Sequence, residues 1–310
     1  MAQEEVNIQD EPSEEKTYDL SVFADQIEMF KDKLDDDVIN SHIINHLKKI
    51  LKDYKLDKYH VVFLYDEYKS ISGFHSDKIY RAVSDLNNKK DILMFIESGG
   101  GQIEPAYLIS KTCKRLAKSK FAISIPRRAK SAATLISLGA AELHMGLLSQ
   151  LGPIDPQFNG FPALGLANAV EKIAEMTAKH PTAADMFAQY LNSNVSIRDL
   201  GYFERINESA TQYAIRLLNG KTFPDSKTCE ELADHFTNHY KDHGFVIDSD
   251  EAAELLGNSL IKTGTNEYEA GNDIYEFFNV LDFLFGIFKQ KNMRFVGEVD
   301  NGLDLIDKEK

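Results

Sequence analysis

An α/β fold, with helical segments before and after a parallel sheet, is what the sequence predicts. Two observations carry the expectation. Compact apolar runs rich in β-branched and aromatic residues, "YHVVFLYD", "DILMFIE" and "KFAISIP", are each the length of a buried strand. The stretches between them, "SDKIYRAVSDLNN" and "IEPAYLISKTCKRLAKS", repeat apolar residues every three or four positions. Strand, helix, strand, helix, strand is the order of βαβ units.

The elements follow in order. The opening "MAQEEVNIQDEPSEEKTYD" is acidic and lacks the basic-then-apolar order of a secretory signal, so residues 1–20 are expected to form a flexible leader. "LSVFADQIEMFKDKL" and "DVINSHIINHLKKILKDY" predict an N-terminal helical layer over 21–58. The α/β core is expected over 59–160, with Ser76 as cap and Asp77 in the first turn of its first helix. Pro126 stops the third strand; "SAATLISLGAA" then reads as a helix of small residues, "ELHMG" as a short strand in which His144 has a structural role, and "SQLGPIDPQFNG" as turns. Asp155 is expected to form a turn there. Residues 161–310 read as a mainly helical region that completes the core and supplies an oligomer interface. It includes a short helix capped at Ser249, an aromatic-rich helix "DIYEFFNVLDFLFGIFKQ" and a terminal strand-like "MRFVGEV" assigned to that interface.

Composition excludes several functions. The net charge of −14 argues against wrapping nucleic acid, which needs clustered Lys and Arg. No stretch has the uninterrupted apolar length of a membrane helix, so a cytoplasmic protein is expected. Cys113 and Cys229 are too far apart in sequence for a paired metal-ligand spacing, and each is read as a small apolar residue, Cys113 on the buried face of its helix. Neither a metal nor a cofactor is expected.

Three neighbouring features could do chemistry. Gly99, Gly100 and Gly101 follow a buried strand and open a helix, where missing side chains let backbone N–H groups approach a ligand; a tight turn would use the same residues. Ser131 stands among Ala129, Ala132 and Ala133 at the mouth of the small-residue helix, as either a cap or a nucleophile beside free N–H groups. The loop "LGPIDPQ" is stiffened by two prolines. Arg127, Arg128 and Lys130, just before Ser131, form either a solvated charge run or a site for carboxylate groups.

In this order these pieces resemble the Clp protease/crotonase fold, a ββα superhelix, and within it the serine dehydrogenase proteinase family, relatives of signal peptide peptidase A. The resemblance rests on "SISGFHSDKIYRAVSDL", "ESGGGQIEPAYLI", "IPRRAKSAATLISLGAAELHMG", "LGPIDPQ" and "HGFVIDSDEAAELLG". It implies that Ser131 is a nucleophile forming an acyl-enzyme, with the N–H groups of Gly100 or Gly101 and of Ala132 as oxyanion hole. Related proteases carry a proline where this chain has Gly99. The place of the Clp-type histidine falls on Ile154, so a Ser-His-Asp triad of that type is not expected. The lysine of the signal peptide peptidase relatives has two candidates here, Lys172 and Lys179, on one helix face; Lys179, beside His180 and Pro181 at the helix end, is preferred. The function so implied is a soluble serine peptidase acting on peptides or proteins as a homo-oligomer. An inactive Clp-like scaffold binding peptides or partner proteins is the alternative. A crotonase-like acyl-thioester enzyme would need a carboxylate base that nothing in the sequence singles out.

Overall fold

The computed structural model describes residues 16–86, 89–154, 157–158, 161–194 and 196–308. Residues 1–15 of the leader expected over 1–20, and the turn at Asp155, lie outside the described residues; within 16–20, Lys16 pairs with Glu28 and Asp32 and Leu20 is buried. Two helices, α1 (Phe23–Lys31) and α2 (Asp36–Asp53), precede the sheet. The core then runs β1 (Tyr59–Asp66), α3 (Gly73–Val83), β2 (Asp91–Ser98), α4 (Ile103–Leu116), β3 (Phe121–Ser124), β4 (Arg128–Ala129), α5 (Ala132–Leu138), β5 (Glu142–His144) and β6 (Gln150–Leu151). A two-residue ribbon, β7 (Gln157–Phe158) and β8 (Phe161–Pro162), leads into α6 (Ala163–Lys179), α7 (Ala184–Asn194), α8 (Ile197–Leu218), α9 (Cys229–Asp234) and α10 (Ser249–Leu256). The chain closes with β9 (Ile261–Lys262), α11 (Asn266–Phe288), β10 (Lys291–Glu298) and β11 (Leu303–Asp307).

The principal sheet has the order β11-β10-β1-β2-β3-β5-β9, with β4 branching from β2 to pair with β6. Its centre is parallel, so β1 and β2 are covered on both faces and read as continuous apolar runs. On one face α3, α4, α5 and α8 to α10 pack Ile79, Ile109, Leu135 and Leu217 against Val62, Met94 and Ile123. On the other, α1, α2 and α11 pack Phe30, Leu47, Phe278 and Phe285 against Phe63, Phe95 and Phe295. The N-terminal helices are therefore one half of a helical layer that α11 completes, and the fold is α/β with helices on both sides. No helix among the described residues is long and apolar enough to cross a membrane.

Several expectations are corrected. Residue Ser72, not Ser76, caps α3; the Ser72 N–H donates to His75 Nδ1 at 3.1 Å, while Ser76 Oγ donates to the Gly73 carbonyl from within the first turn. Asp248, not Ser249, caps α10, accepting the N–H groups of Asp250 and Glu251. A carboxylate satisfies two orphan donors where a hydroxyl in the helix itself satisfies none. The terminal "MRFVGEV" lies in the sheet, antiparallel to β1 with Phe63 opposite Gly297, and α11 buries Ile274, Phe277, Phe278, Leu281 and Phe285 within the chain. Cys113 is buried as expected and Cys229 half-buried. His144 is also buried, with Nδ1 2.9 Å from Thr265 Oγ1.

Candidate active site

All seven residues of α5 are buried. A helix of Ala, Thr, Ser, Leu and Ile fits there because its neighbours approach closely: at Gly139, its C-cap, a Cβ would sit 2.0 Å from Ser110 Oγ of α4. The segment feeding it is pinned on both sides. Lys130 N–H donates to the Ser98 carbonyl at 3.1 Å, tying it to the end of β2. Thr134 Oγ1 donates to the Ala129 carbonyl at 2.6 Å and accepts the Gly152 N–H at 3.0 Å, tying it to β6.

Ser131 turns the chain from β4 into α5 with φ 52° and ψ −119°, a conformation that residues other than glycine rarely hold. Its hydroxyl makes no cap hydrogen bond, so the position is not explained by capping. Gly100 is packed against it: a Cβ on Gly100 would lie 2.6 Å from Ser131 Cβ, 2.8 Å from the Lys130 carbonyl and 3.1 Å from the Ala132 nitrogen. The structure thus brings Ser131, Ala132 and Gly100 together. As the first residue of α5, Ala132 has no intrahelical acceptor for its N–H. The Gly100 N–H reaches Ser98 Oγ at 3.2 Å, and the Gly100 carbonyl accepts the Ile71 N–H at 2.8 Å. Gly101, at φ 152°, forms the parallel bridge to Ile71; a Cβ there would meet the Ile71 nitrogen at 2.3 Å.

These residues floor an open cleft of about 780 Å³. Ser70, Ile71 and Ser72 form one rim, Gln102 and Glu104 the start of α4, and Arg205, Ile206 and Ser209 of α8 a wall, with His243 completing it. The Ser72 rim is held from below by a buried pair, His75 Nε2 lying 3.2 Å from Asp66 Oδ2. Burial works to raise the Asp66 carboxyl, but the His75 ring and the N–H groups of Lys69 and Tyr68 outweigh it and hold the group low.

The basic run before Ser131 is fully engaged. Arg128 donates through Nε to Glu97 Oε1 at 2.7 Å and through its backbone N–H to Oε2 at 2.8 Å; burial pushes the Glu97 carboxyl up to about 7, with Arg128 opposing. Arg127 lies over the Tyr275 ring and donates to Asn272. Lys130 donates to the Phe245 carbonyl at 2.7 Å, and burial followed by repulsion from Arg128 lowers its pKa. A further lysine, Lys221, donates to the carbonyls of Leu138 and Ala140 at the far end of α5, where burial lowers it to about 7.

The two lysines singled out as proton acceptors are elsewhere. Lys172 is exposed on α6 in an ion pair with Glu175 at 2.9 Å, and Lys179 is exposed at the end of the same helix. Neither is among the described residues that line the cleft. Ile154, at the place of the Clp-type histidine, is buried with its N–H on the Phe236 carbonyl at 2.8 Å. His243 was not singled out in the sequence, where it is one polar residue in the turn "KDHGF"; its place inside "HGFVIDSDEAAELLG" is the signal that could have found it.

Comparison with known proteins bears on the family of the chain. A profile described as ClpP-like SDH-type serine proteinase matches residues 59–254, which run from the start of β1 into α10 and include every cleft residue. An uncharacterized protein of Methanocaldococcus jannaschii is 28% identical over 190 residues, 61% of this chain and 60% of that protein. A second uncharacterized protein of the same organism is 32% identical over 114 residues, 36% of this chain and 39% of the relative. The chain therefore spans 60% or less of the length of these relatives. With its match extending over more than half of the chain, this protein belongs to the ClpP-like SDH-type serine proteinase family.

Proposed function

We propose that the protein is a serine peptidase in which Ser131 attacks a peptide carbonyl held over the cleft. The observation that carries this reading is the backbone of Ser131: a buried, strained turn whose hydroxyl caps nothing, at the start of a helix and against Gly100. Strain of that kind costs about 1–3 kcal/mol and persists where the surroundings enforce it. Attack gives a tetrahedral oxyanion, received by the N–H of Ala132 together with that of Gly100 or Gly101, which collapses to an ester with Ser131 as the C–N bond breaks and the amine leaves with the proton. The same reading makes the protein a cytoplasmic homo-oligomer acting on peptides or proteins.

A dyad with Lys179 or Lys172 needs α6 to bring one of them to the cleft. Their exposure favours the alternative, a scaffold that binds peptides without cutting them, unless another side chain accepts the proton. Labelling of the purified chain with a fluorophosphonate probe tests the reading. Modification mapped to Ser131 and abolished in Ser131→Ala is expected. A folded wild type that stays unlabelled would leave the scaffold.

A further inference from the structure

We propose that the cavity at the C-terminal end of α5 binds a small phosphoryl-type oxyanion, in a site separate from the Ser131 cleft. The cavity has a volume of about 360 Å³ and shares no described lining residue with the cleft. Lys114 in the last turn of α4, Ser119 before β3, Asn219, Lys221 and Thr222 after α8, and Ser259 before β9 line it. Four separate parts of the chain thus converge there, each bringing side chains that donate hydrogen bonds. The size suits a small molecule rather than a peptide.

Charge selects the ligand. The chain carries 49 Asp and Glu against 35 Lys and Arg, yet the described lining of this cavity holds two lysines and no carboxylate. The Lys221 ammonium donates to the Leu138 and Ala140 carbonyls at 2.6 and 2.5 Å, which satisfies acceptors at the end of α5 and leaves one of its three protons for a partner in the cavity. Support of a helix end accounts for Lys221 but not for Lys114, which is exposed, has no ion pair among the described residues and stands close enough to repel Lys221. Asp91 is not the counter-ion, because its Oδ1 already accepts the N–H groups of Ser119 and Lys120, both at 2.8 Å, and the Ser119 hydroxyl at 2.9 Å. Two ammonium groups without a carboxylate, lining one cavity, are balanced by a bound anion. An anion with several acceptor oxygens also engages Asn219, Thr222 and Ser259.

Binding is linked to a proton. Burial, then repulsion from Lys114, lowers Lys221 to about 7, with the Cys229 thiol opposing; Lys114 and Cys229 are the titratable groups that act on it. An oxyanion on Lys221 favours its charged form. Above a pH of about 7, binding therefore draws a proton from solvent onto the amine, and affinity falls as the pH rises further.

Titration calorimetry with inorganic phosphate, against chloride of matched ionic strength, tests the site in wild type, Lys114→Met, Lys221→Met and, as a control, Lys172→Met, with thermal melting to show that each folds. Expected is saturable binding to wild type and Lys172→Met, weakened by about tenfold or more in Lys114→Met and in Lys221→Met. Lys114 is exposed, so its variant decides the matter if Lys221→Met does not fold. Sulfate, which does not titrate, is expected to compete with phosphate and, at about pH 8 in buffers of different ionisation heat, to bind wild type with proton uptake. Glycerol phosphate identifies the source of the group: tighter binding of the ester supports a phosphorylated small molecule, tighter binding of inorganic phosphate the free ion. Absence of saturable binding, affinity of Lys114→Met within about twofold of wild type, an equal loss in Lys172→Met, or sulfate binding with no proton uptake would each overturn the assignment.

Discussion

Gly100→Ala isolates the contact on which Ser131, the proposed nucleophile, rests. At φ +106° an L side chain is strained whatever the space, a cost of about 1–3 kcal/mol. The added methyl carbon would stand 2.6 Å from Ser131 Cβ and 2.8 Å from the Lys130 carbonyl, neither of them the free end of a flexible chain. Overpacking a site that cannot give adds about 1–3 kcal/mol. A total of about 2–6 kcal/mol, at roughly 2 °C per kcal/mol for a chain of this size, lowers the melting temperature by about 4–12 °C. Because relief requires Ser131 or the glycine loop to move, labelling at Ser131 falls by about 10²-fold or more. Gly99→Ala is the internal control: a Cβ there meets nothing within 4 Å and its φ lies outside the left-handed region, so both stability and labelling stay close to wild type. Melting curves and labelling rates on the two variants decide the matter. Equal damage from both, or a Gly100→Ala chain that labels at the wild-type rate, refutes the reasoning.

Two further outcomes follow from groups packed along α5. Lys221 is lowered from 10.5 to about 7, so the unfolded chain binds the extra proton; its contribution to stability is complete above about 10.5 and is lost as the pH falls through about 7. Wild type should therefore gain on Lys221→Met by about 1–2 kcal/mol between pH 7 and 9.5 in denaturant titrations, the partial exposure of the side chain trimming the full effect; a gap independent of pH would contradict this. Thr134→Val strips partners from the Ala129 carbonyl and the Gly152 N–H and should cost about 1–3 kcal/mol. Ser137→Ala, which removes only a bond to the carbonyl one turn back at Ala133, should be close to neutral by the same titration.

The sheet was legible because buried parallel strands have no polar face to disguise them; within Tyr59–Asp66 and Asp91–Ser98 the stretches "VVFLY" and "ILMFI" stand in the sequence as unbroken apolar runs. β11 escaped notice because "LDLID" is only five residues long and half-exposed along most of its length, with no buried face to mark it. Cap positions slipped by one to four residues where several polar side chains compete, as at Ser72 and Ser76. The glycine loop and Ser131 were visible as residue types in an order. What distinguishes a nucleophile from a cap there, a positive φ and an unused hydroxyl, is a property of the backbone that no residue type spells out. His243 and Lys221 were invisible for another reason. Each acquires its meaning from carbonyls, strands or a cleft supplied by distant parts of the chain, and neither has a local pattern.

The helix α5 has no side that water reaches. Most helices can be edited from outside, one exposed position at a time, without disturbing what they carry. Here every residue from Ala132 to Leu138 is buried, so a bulkier side chain anywhere along it must displace its neighbours. Adjustment of reactivity and choice of substrate is left to parts that can vary without shifting that helix: the rim at Ser70–Ser72, the wall of α8 and the turn that bears His243. The proposed nucleophile is a fixed seat, and diversification within this architecture belongs to the furniture around it.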